Sequence, residues 1–425
     1  MTIEELYGIY LAHPTVETDT RKIKKDSLFF ALKGPNFNGN NYVKQAFDAG
    51  AAFCICDEQT AIDNTRIVYV NDVLDTLQKL AKYHRSQFYI PFIAITGSNG
   101  KTTTKELIHE VLSTTFKCYT TKGNLNNHIG IPITILSVKK DAEIAVIEMG
   151  ANHQKEIEGY CLYTMPTHGL ITNCGKAHLE GFGGVEGIKK GKGELYDYIS
   201  KTEGTIFINN DYEYLQQMSV DINNKISYGT LDATCVGEAK QGGHFLEVEI
   251  KNGAEINIIK TQLAGNYNLP NVMSAVCIGK YFKVADENIK SALEAYTPTN
   301  SRSQIIQKET NTILLDAYNA NPSSMKVAIE NFAQMKGDNK IVILGGMMEL
   351  GEESLKEHAS LIEMLSSYSW KQVVVAGKDF VNLPAAFLKF NNASEIAAWY
   401  KEQQFTNATI LIKGSRSMAM EKVLE

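Results

Sequence analysis

The periodicity of apolar residues divides this chain before any motif is considered. Over roughly the first 88 residues, SLFFALKG is followed by YVKQAFDAGA, by the strand-like AFCICDE and by DVLDTLQKLAKYHRSQF, whose apolar positions recur at helical spacing. This predicts a small α/β domain over 1–88. From Phe92 onward FIAIT, EIAVIEMG, HGLITNC and GTIFINN are short apolar runs with little polar alternation, and helical segments separate them, the first from Thr102. Strands buried on both faces have this character, so a largely parallel sheet is predicted within 89–300. Between residues 225 and 262 the period shortens to two: HFLEVEI and EINIIKT flank KNGA and predict a hairpin, an antiparallel layer appended to that sheet. Over 301–425, TILLDAYN, KIVILGG, QVVVAGK and TILIKGS each precede a helical segment and predict a third, Rossmann-like α/β domain.

Composition narrows the partners. A chain of 425 residues, 44% hydrophobic and 21% charged, supports several independent cores. A formal net charge of -6 provides no broad basic field, so nucleic acid is not an expected partner, whereas a small anion needs only a local pocket. The opening MTIEELYGIYLAHP lacks a signal-peptide pattern and no apolar run reaches membrane-spanning length, so a cytoplasmic protein without membrane insertion is expected. Seven cysteines without a CxxC spacing are expected to be reduced thiols; Cys54 and Cys56 fall on one face of a strand.

The chemistry concentrates in IAITGSNGKTTTKELIHEVL. A strand enters a turn of small residues and a helix leaves it, so backbone N–H groups around Gly97, Ser98, Asn99 and Gly100 converge on an anion at a helix N-terminus. Lys101 supplies a mobile positive charge for phosphates; Thr102, followed by Thr103, supplies a hydroxyl suited to Mg²⁺. Only two residues separate the glycines, shorter than GxxxxGK[ST], which disfavours the usual GTPases and motor ATPases. Glu148 ends the next strand, at the sheet edge where α/β proteins bind ligands, and is either a metal ligand or merely solvated. His178 lies just beyond the third strand in a glycine-rich loop on the same edge.

TGSNGKTTTK, GNLNNHIGIP, IEMGANHQKEI, AHLEGFGGVEGI, LDAYNANPSSM, LGGMMELGEES and KGSRSMAMEKVL, in this order, resemble the Mur ligase family, the ATP-dependent amide-forming enzymes of cell-wall precursor synthesis. The resemblance implies three domains: a UDP-precursor module, a central P-loop ATPase and a C-terminal ligase domain. It implies that Lys101 holds ATP phosphates, that Thr102 holds one Mg²⁺, and that Glu148 and His178 hold a second. Lys192, in KGKGE, matches the family's carbamoylated lysine, which turns a cation into an anion able to support metal; read alone it is a solvated helical lysine. Related chains usually have Ala before that lysine, where this one has Gly191.

Further positions follow from the same resemblance. GNYNLPNVMSAV is similar to the adenine-recognition segment, with Asn268 and Asn271 toward the base, although Asn271 could equally cap a helix, and Tyr267 stands where relatives often have His. Arg302 matches an interdomain phosphate contact and Asp316 a ribose contact. Thr20, Arg21 and Lys33 are implied for the uridine diphosphate, against a solvated basic turn; Asn126, Asn127 and His128 for the sugar or peptide; Asn319, Asn321 and Lys413 to Arg416 for the incoming dipeptide or nucleotide.

The implied activity joins D-alanyl-D-alanine to a UDP-N-acetylmuramoyl-tripeptide through an acyl phosphate, with ATP and Mg²⁺, in a monomer. The Asp-Asn-Pro-Arg motif of the family member that adds the third amino acid is absent. Folylpolyglutamate synthetase shares the loop but not the uridine module, and a nucleotide-dependent binding protein would not need Lys101, Glu148, His178 and Lys192 together.

Overall fold

The computed structural model describes residues 1–60, 65–240, 245–299, 301–337 and 339–425. The first residue of the expected strand HFLEVEI, His244, and residue 300, the expected end of the second domain, lie outside these. Three large sheets organise the described residues, beside a two-stranded ribbon of Lys33–Gly34 and Phe37–Asn38. The first is four-stranded and parallel, in the order Val16–Glu17, Leu28–Phe30, Phe53–Cys56, Ile67–Tyr69. The helix Val73–Arg85 covers it, burying Val73, Leu77, Leu80, Ala81 and His84 at helical spacing, and its N-cap Asp72 accepts from Asp75 N–H. Cys54 and Cys56 are buried in one cluster, and all seven cysteines are unpaired.

The second sheet has nine strands, and the phosphate-loop strand Phe92–Thr96 sits between His168–Ile171 and Ile144–Glu148. All three pair in parallel, so their C-terminal ends open on one edge. The expected antiparallel layer is instead an in-plane continuation. Cys235–Lys240 pairs parallel with Asn224–Gly229 and antiparallel with Phe245–Asn252, so the ladder runs on without a second layer. The hairpin's second strand is Ile258–Ala264 and starts three residues later than Glu255, because Glu255 N–H is spent on the Asp286 side chain (2.7 Å).

The third sheet has six strands in the order Gln304–Lys308, Asn311–Asp316, Thr409–Lys413, Lys340–Gly345, Gln372–Ala376, Leu388–Phe390, parallel except at the first pair. After Thr409–Lys413 only short 3₁₀ turns follow, not the expected helix. Among the described residues, no helix is long and apolar enough to cross a membrane.

The first unit is joined to the second through helix ends. The last carbonyls of a helix have no intrahelical donor, and those of Gly130–Leu136 and Glu156–Thr164 are met from outside. Tyr10 Oη donates to Leu136 O, His84 Nε2 lies 2.8 Å from Val138 O, and Arg85 donates to Thr164 O and Met165 O at 2.9 Å each. The Arg85 guanidinium also stacks on Phe92, 3.9 Å from the ring centre. Burial pulls its pKa down to about 10, so it remains a cation at neutral pH, beside the negative end of the helix Glu156–Thr164. Arg85→Met keeps the bulk and strands these carbonyls; we expect a loss of about 2–4 kcal/mol at this junction. Hydrogen exchange of 73–85 and 156–164 measures it, and wild-type protection in the variant would refute the assignment.

Candidate active site

Steric limits shape the phosphate loop. Gly97 and Gly100 have φ of +144° and +79°, where a side chain is strained. A Cβ at Gly97 would lie 2.0 Å from Thr172 Oγ1, and one at Gly100 would lie 2.6 Å from Asn271 Oδ1. The helix Lys101–Ser113 therefore begins on a glycine, with its first N–H groups facing a cavity of about 670 Å³. Ser98, Asn99, Gly100, Lys101, Thr102 and Thr103 line that cavity; Gly97 is off the lining. Lys101 Nζ donates to Gly97 O (2.6 Å) and Ser98 O (3.2 Å). Burial depresses its pKa to about 8, with Glu148 opposing and Arg302 adding to the effect.

Glu148 is 1% exposed. Its Oε1 accepts from Thr102 Oγ1 (3.1 Å) and Asn126 Nδ2 (2.7 Å), while Oε2 is buried without a hydrogen-bond partner among the described residues. An oxygen left this way costs free energy unless a cation meets it. With the Thr102 hydroxyl alongside, these groups fit Mg²⁺, a hard cation that takes oxygen ligands. His178, at φ +52°, lines the same cavity, and its Nδ1 meets Oε2 of Glu349 from the third unit. Among the described residues, no group of three His, Cys, Asp or Glu side chains is arranged to hold a metal, so an incoming phosphate or substrate would have to complete the shell.

Lys192 is buried behind the cavity and does not line it. Its Nζ donates to Ala151 O (3.1 Å) and lies 4.8 Å from the Phe182 ring centre. Burial first, then the charge of Lys101, draws its pKa down to about 7. A neutral amine reacts with CO₂ and an ammonium does not, so the residue fits carbamoylation. Gly187 and Gly191 let the helix Val185–Lys201 approach the turn at Phe182: a Cβ at Gly191 would lie 2.4 Å from Phe182 Cε1. The Gly191 seen in place of Ala thus accompanies a bulky ring over the lysine.

Asn268 and Asn271 line the cavity, but their amides are already engaged. Asn271 Nδ2 donates to Asn268 Oδ1 (2.8 Å), and Asn271 Oδ1 accepts from Thr104 Oγ1 (3.0 Å). Asn271 is inside the helix Leu269–Tyr281 and is not its N-cap; Asn268 is. Tyr267 Oη pairs with Ser303 Oγ at 2.9 Å. From the third unit, Arg302 stacks 3.5 Å from the Tyr318 ring centre and keeps a buried Nε that has no partner among the described residues, a donor suited to an anion. Asp316 is held by Lys413 at 2.6 Å. Asn319, Asn321, Asn126 and Asn127 line the cavity, and Asn321 Nδ2 bonds Asn99 Oδ1 across the seam at 2.7 Å.

Besides Gly97 and Lys192, further expected residues do not line this cavity. Arg21 pairs with Asp19 at 2.7 Å beside Thr20, Lys33 pairs with Asp57 (3.3 Å) and Glu58 (3.2 Å), and His128 offers its backbone oxygen to Gln78. Arg416 is exposed over Tyr318 and also lies off the lining. Sequence reasoning missed Tyr212, Tyr214 and Ser323 on the lining, although Tyr212 follows a predicted strand end, which was the available signal.

A phosphate loop at the edge of a parallel sheet, in a cavity walled by a second α/β unit, defines a nucleotide-binding protein of the multidomain P-loop class. The Mur ligase family, catalytic domain matches residues 15–90, the Mur ligase middle domain 95–279, and the Mur ligase, glutamate ligase domain 301–416; the chain belongs to the Mur ligase family. Among its relatives is the UDP-N-acetylmuramoyl-tripeptide--D-alanyl-D-alanine ligase of Bacillus subtilis, 34% identical over 96% of this chain and 92% of that protein. Similar structures include MurF from Acinetobacter baumannii (TM-score 0.87, 30% identity, covering 96% of this chain and 92% of that one). MurF ligase from Thermotoga maritima in complex with ADP has TM-score 0.87 at 26% identity, covering 97% of each chain.

Gly191→Ala should destabilise the protein by about 1–3 kcal/mol through overpacking, although Gly→Ala inside a helix ordinarily contributes about 1 kcal/mol of stability. Thermal unfolding with and without Phe182→Leu checks this. A melting temperature at or above wild type in the single variant would show that the ring yields freely.

Proposed function

We propose that this protein is an ATP-dependent ligase that joins D-alanyl-D-alanine to a UDP-N-acetylmuramoyl-tripeptide in peptidoglycan precursor synthesis. The observation that carries the reading is the buried, unpartnered Glu148 oxygen beside Thr102 and Lys101 at a phosphate loop. The names of the full-length relatives supply the substrates, and the ADP complex of a relative supports the nucleotide. In the first step an oxygen of the tripeptide's terminal carboxylate bonds to the γ-phosphorus, the bond to the β–γ bridging oxygen breaks, and ADP leaves. In the second the dipeptide's amine bonds to the carbonyl carbon of the acyl phosphate, inorganic phosphate leaves, and the nitrogen loses its proton to solvent.

Lys101 and the loop N–H groups hold the phosphates, and Arg302 and Asp316 meet the nucleotide from the third unit. Asn126 orients Glu148, and Asn127, which lines the cavity, serves the acceptor. Bound Mg²⁺, one ion held by Thr102 and a second by Glu148 and His178, would offset charge on the transferring phosphoryl group. We assign residues 1–88 to the UDP-precursor domain, with Thr20, Arg21, Lys33 and His128 serving the acceptor there and nearby, 89–300 to the ATP domain and 301–425 to the ligase domain. Arg21 and Lys33 would have to exchange their carboxylate partners for the diphosphate. Asn268 and Asn271 serve the base, Asn319 and Asn321 the dipeptide, and carbamoylated Lys192 supports the metal. The protein is read as a cytoplasmic monomer.

Purified protein with ATP, Mg²⁺, D-alanyl-D-alanine and either the lysine or the diaminopimelate tripeptide precursor should release phosphate and form one amide product, read by mass. ATP hydrolysis without amide formation for any acceptor would refute the reading. Lys101→Ala should lower turnover by about 10²-fold or more. Lys192→Ala should lose most activity and regain part of it with short carboxylates; undiminished phosphate release would remove its metal-supporting role.

A further inference from the structure

The stretch LGGMMELGEES connects the strand Lys340–Gly345 to the helix Ser354–Ser366, and its Glu349 crosses the seam to the central unit. Glu349 Oε2 meets His178 Nδ1 as a close ion-pair contact, and among the described residues that buried nitrogen makes no hydrogen bond. Both backbones are unusual: φ is +52° at His178 and +62° at Glu349. A non-glycine residue in the left-handed region is strained by about 1–3 kcal/mol and persists where its surroundings over-determine it. Here two such residues, one on each side of a domain seam, present their side chains to each other.

The neighbouring contacts fix that approach. Gly351, at φ +55°, lets the turn lie against Glu180, where a Cβ would come within 3.3 Å of the Glu180 Cβ. Beside it, Lys176 of the central unit pairs with Glu357 of the third at 2.6 Å. Ser323 Oγ accepts from Lys176 N–H at 2.8 Å.

We propose that Glu349 is a positioning residue for His178: its carboxylate accepts the Nδ1 proton and holds the imidazole in the tautomer that leaves the Nε2 lone pair for the cavity. A neutral imidazole carries one N–H, so committing Nδ1 as donor makes Nε2 the acceptor or ligand atom. Carboxylate partners of ligating histidines act in this way. Because Glu349 belongs to the third unit and His178 to the central one, the site is complete only when the third unit is docked. Domain closure and orientation of His178 are then a single event. This role rests on the reading of His178 given under the proposed function.

The test uses the full chain, first without metal. Imidazole nitrogen NMR of labelled protein, following the resonance that His178→Ala removes, should show the Nδ1–H tautomer in the wild type and the Nε2–H tautomer in Glu349→Ala. Mn²⁺ affinity in the presence of a non-hydrolysable ATP analogue, and turnover, should each fall about 10–100-fold in Glu349→Ala. Glu349→Gln keeps one acceptor oxygen; it should retain the wild-type tautomer and fall less, and it provides the measurement should the alanine variant unfold. An unchanged tautomer in Glu349→Ala, or turnover within twofold of wild type, overturns the assignment. His178→Ala separates the two readings. If it leaves turnover intact, the role of His178 itself falls; if it abolishes turnover while Glu349→Ala does not, only the present inference falls.

Discussion

A carboxylate oxygen taken out of water without a donor is costly, and the centre of this protein is arranged around one such atom. Glu148 gives one oxygen to Thr102 and Asn126 and leaves the other buried and unmet. Its backbone N–H is fixed by Thr121 Oγ1 at 3.0 Å, so the side chain is anchored from behind. Thr102 opens the loop helix, which begins where it does because Gly100 alone fits against Asn271. Asn271 in turn links that helix to the segment carrying Asn268. A change at any of these residues is felt at the same oxygen, which is why the phosphate site and its carboxylate form one unit rather than a loop with an accessory.

The two domain junctions differ in kind. The first unit meets the second through carbonyls at or just beyond helix ends, which accept from the buried side chains of Arg85, His84 and Tyr10. Breaking that junction strands polar atoms in a dry interface. The third unit meets the second through the hydrogen bonds Asn321–Asn99, Tyr267–Ser303 and Lys176–Ser323 and the ion pairs Lys176–Glu357 and Glu349–His178. Lys176 and Glu349 are half open to water, and pairs of that sort contribute only about 0–1 kcal/mol each. Water can replace those two ion pairs at small cost, so this wall of the nucleotide cavity is held less by them than by its hydrogen bonds.

Two lysines behind the loop obey opposite demands. Lys101 must remain mobile enough to leave Gly97 and Ser98 for a phosphate, whereas Lys192 is enclosed by Phe182 and Ala151. Burial is the main cause of both depressed pKa values, and the charge of Lys101 lowers that of Lys192 further. Converting one of two neighbouring ammonium groups to an anion would turn this repulsion into attraction. The glycines at 187 and 191 allow the helix to come close enough for the ring to shield that nitrogen.

Residues adjacent in sequence made much of this legible. The phosphate loop, the strands before it and after it, and the carboxylate at a strand end follow from apolar runs, glycine positions and the edge rule, all of which are local. Family resemblance pointed to Arg302, Asp316 and Asn321, and the fold brings them onto the same lining. Tertiary structure alone decided the remainder. It paired Lys33 with Asp57 and Glu58, extended the central sheet in plane instead of adding a layer, enclosed Lys192, and set Glu349 against His178. Each of these outcomes depends on which distant side chain fills the space beside a residue, and apolar period and motif spacing carry no record of that because they describe neighbours along the chain rather than across it.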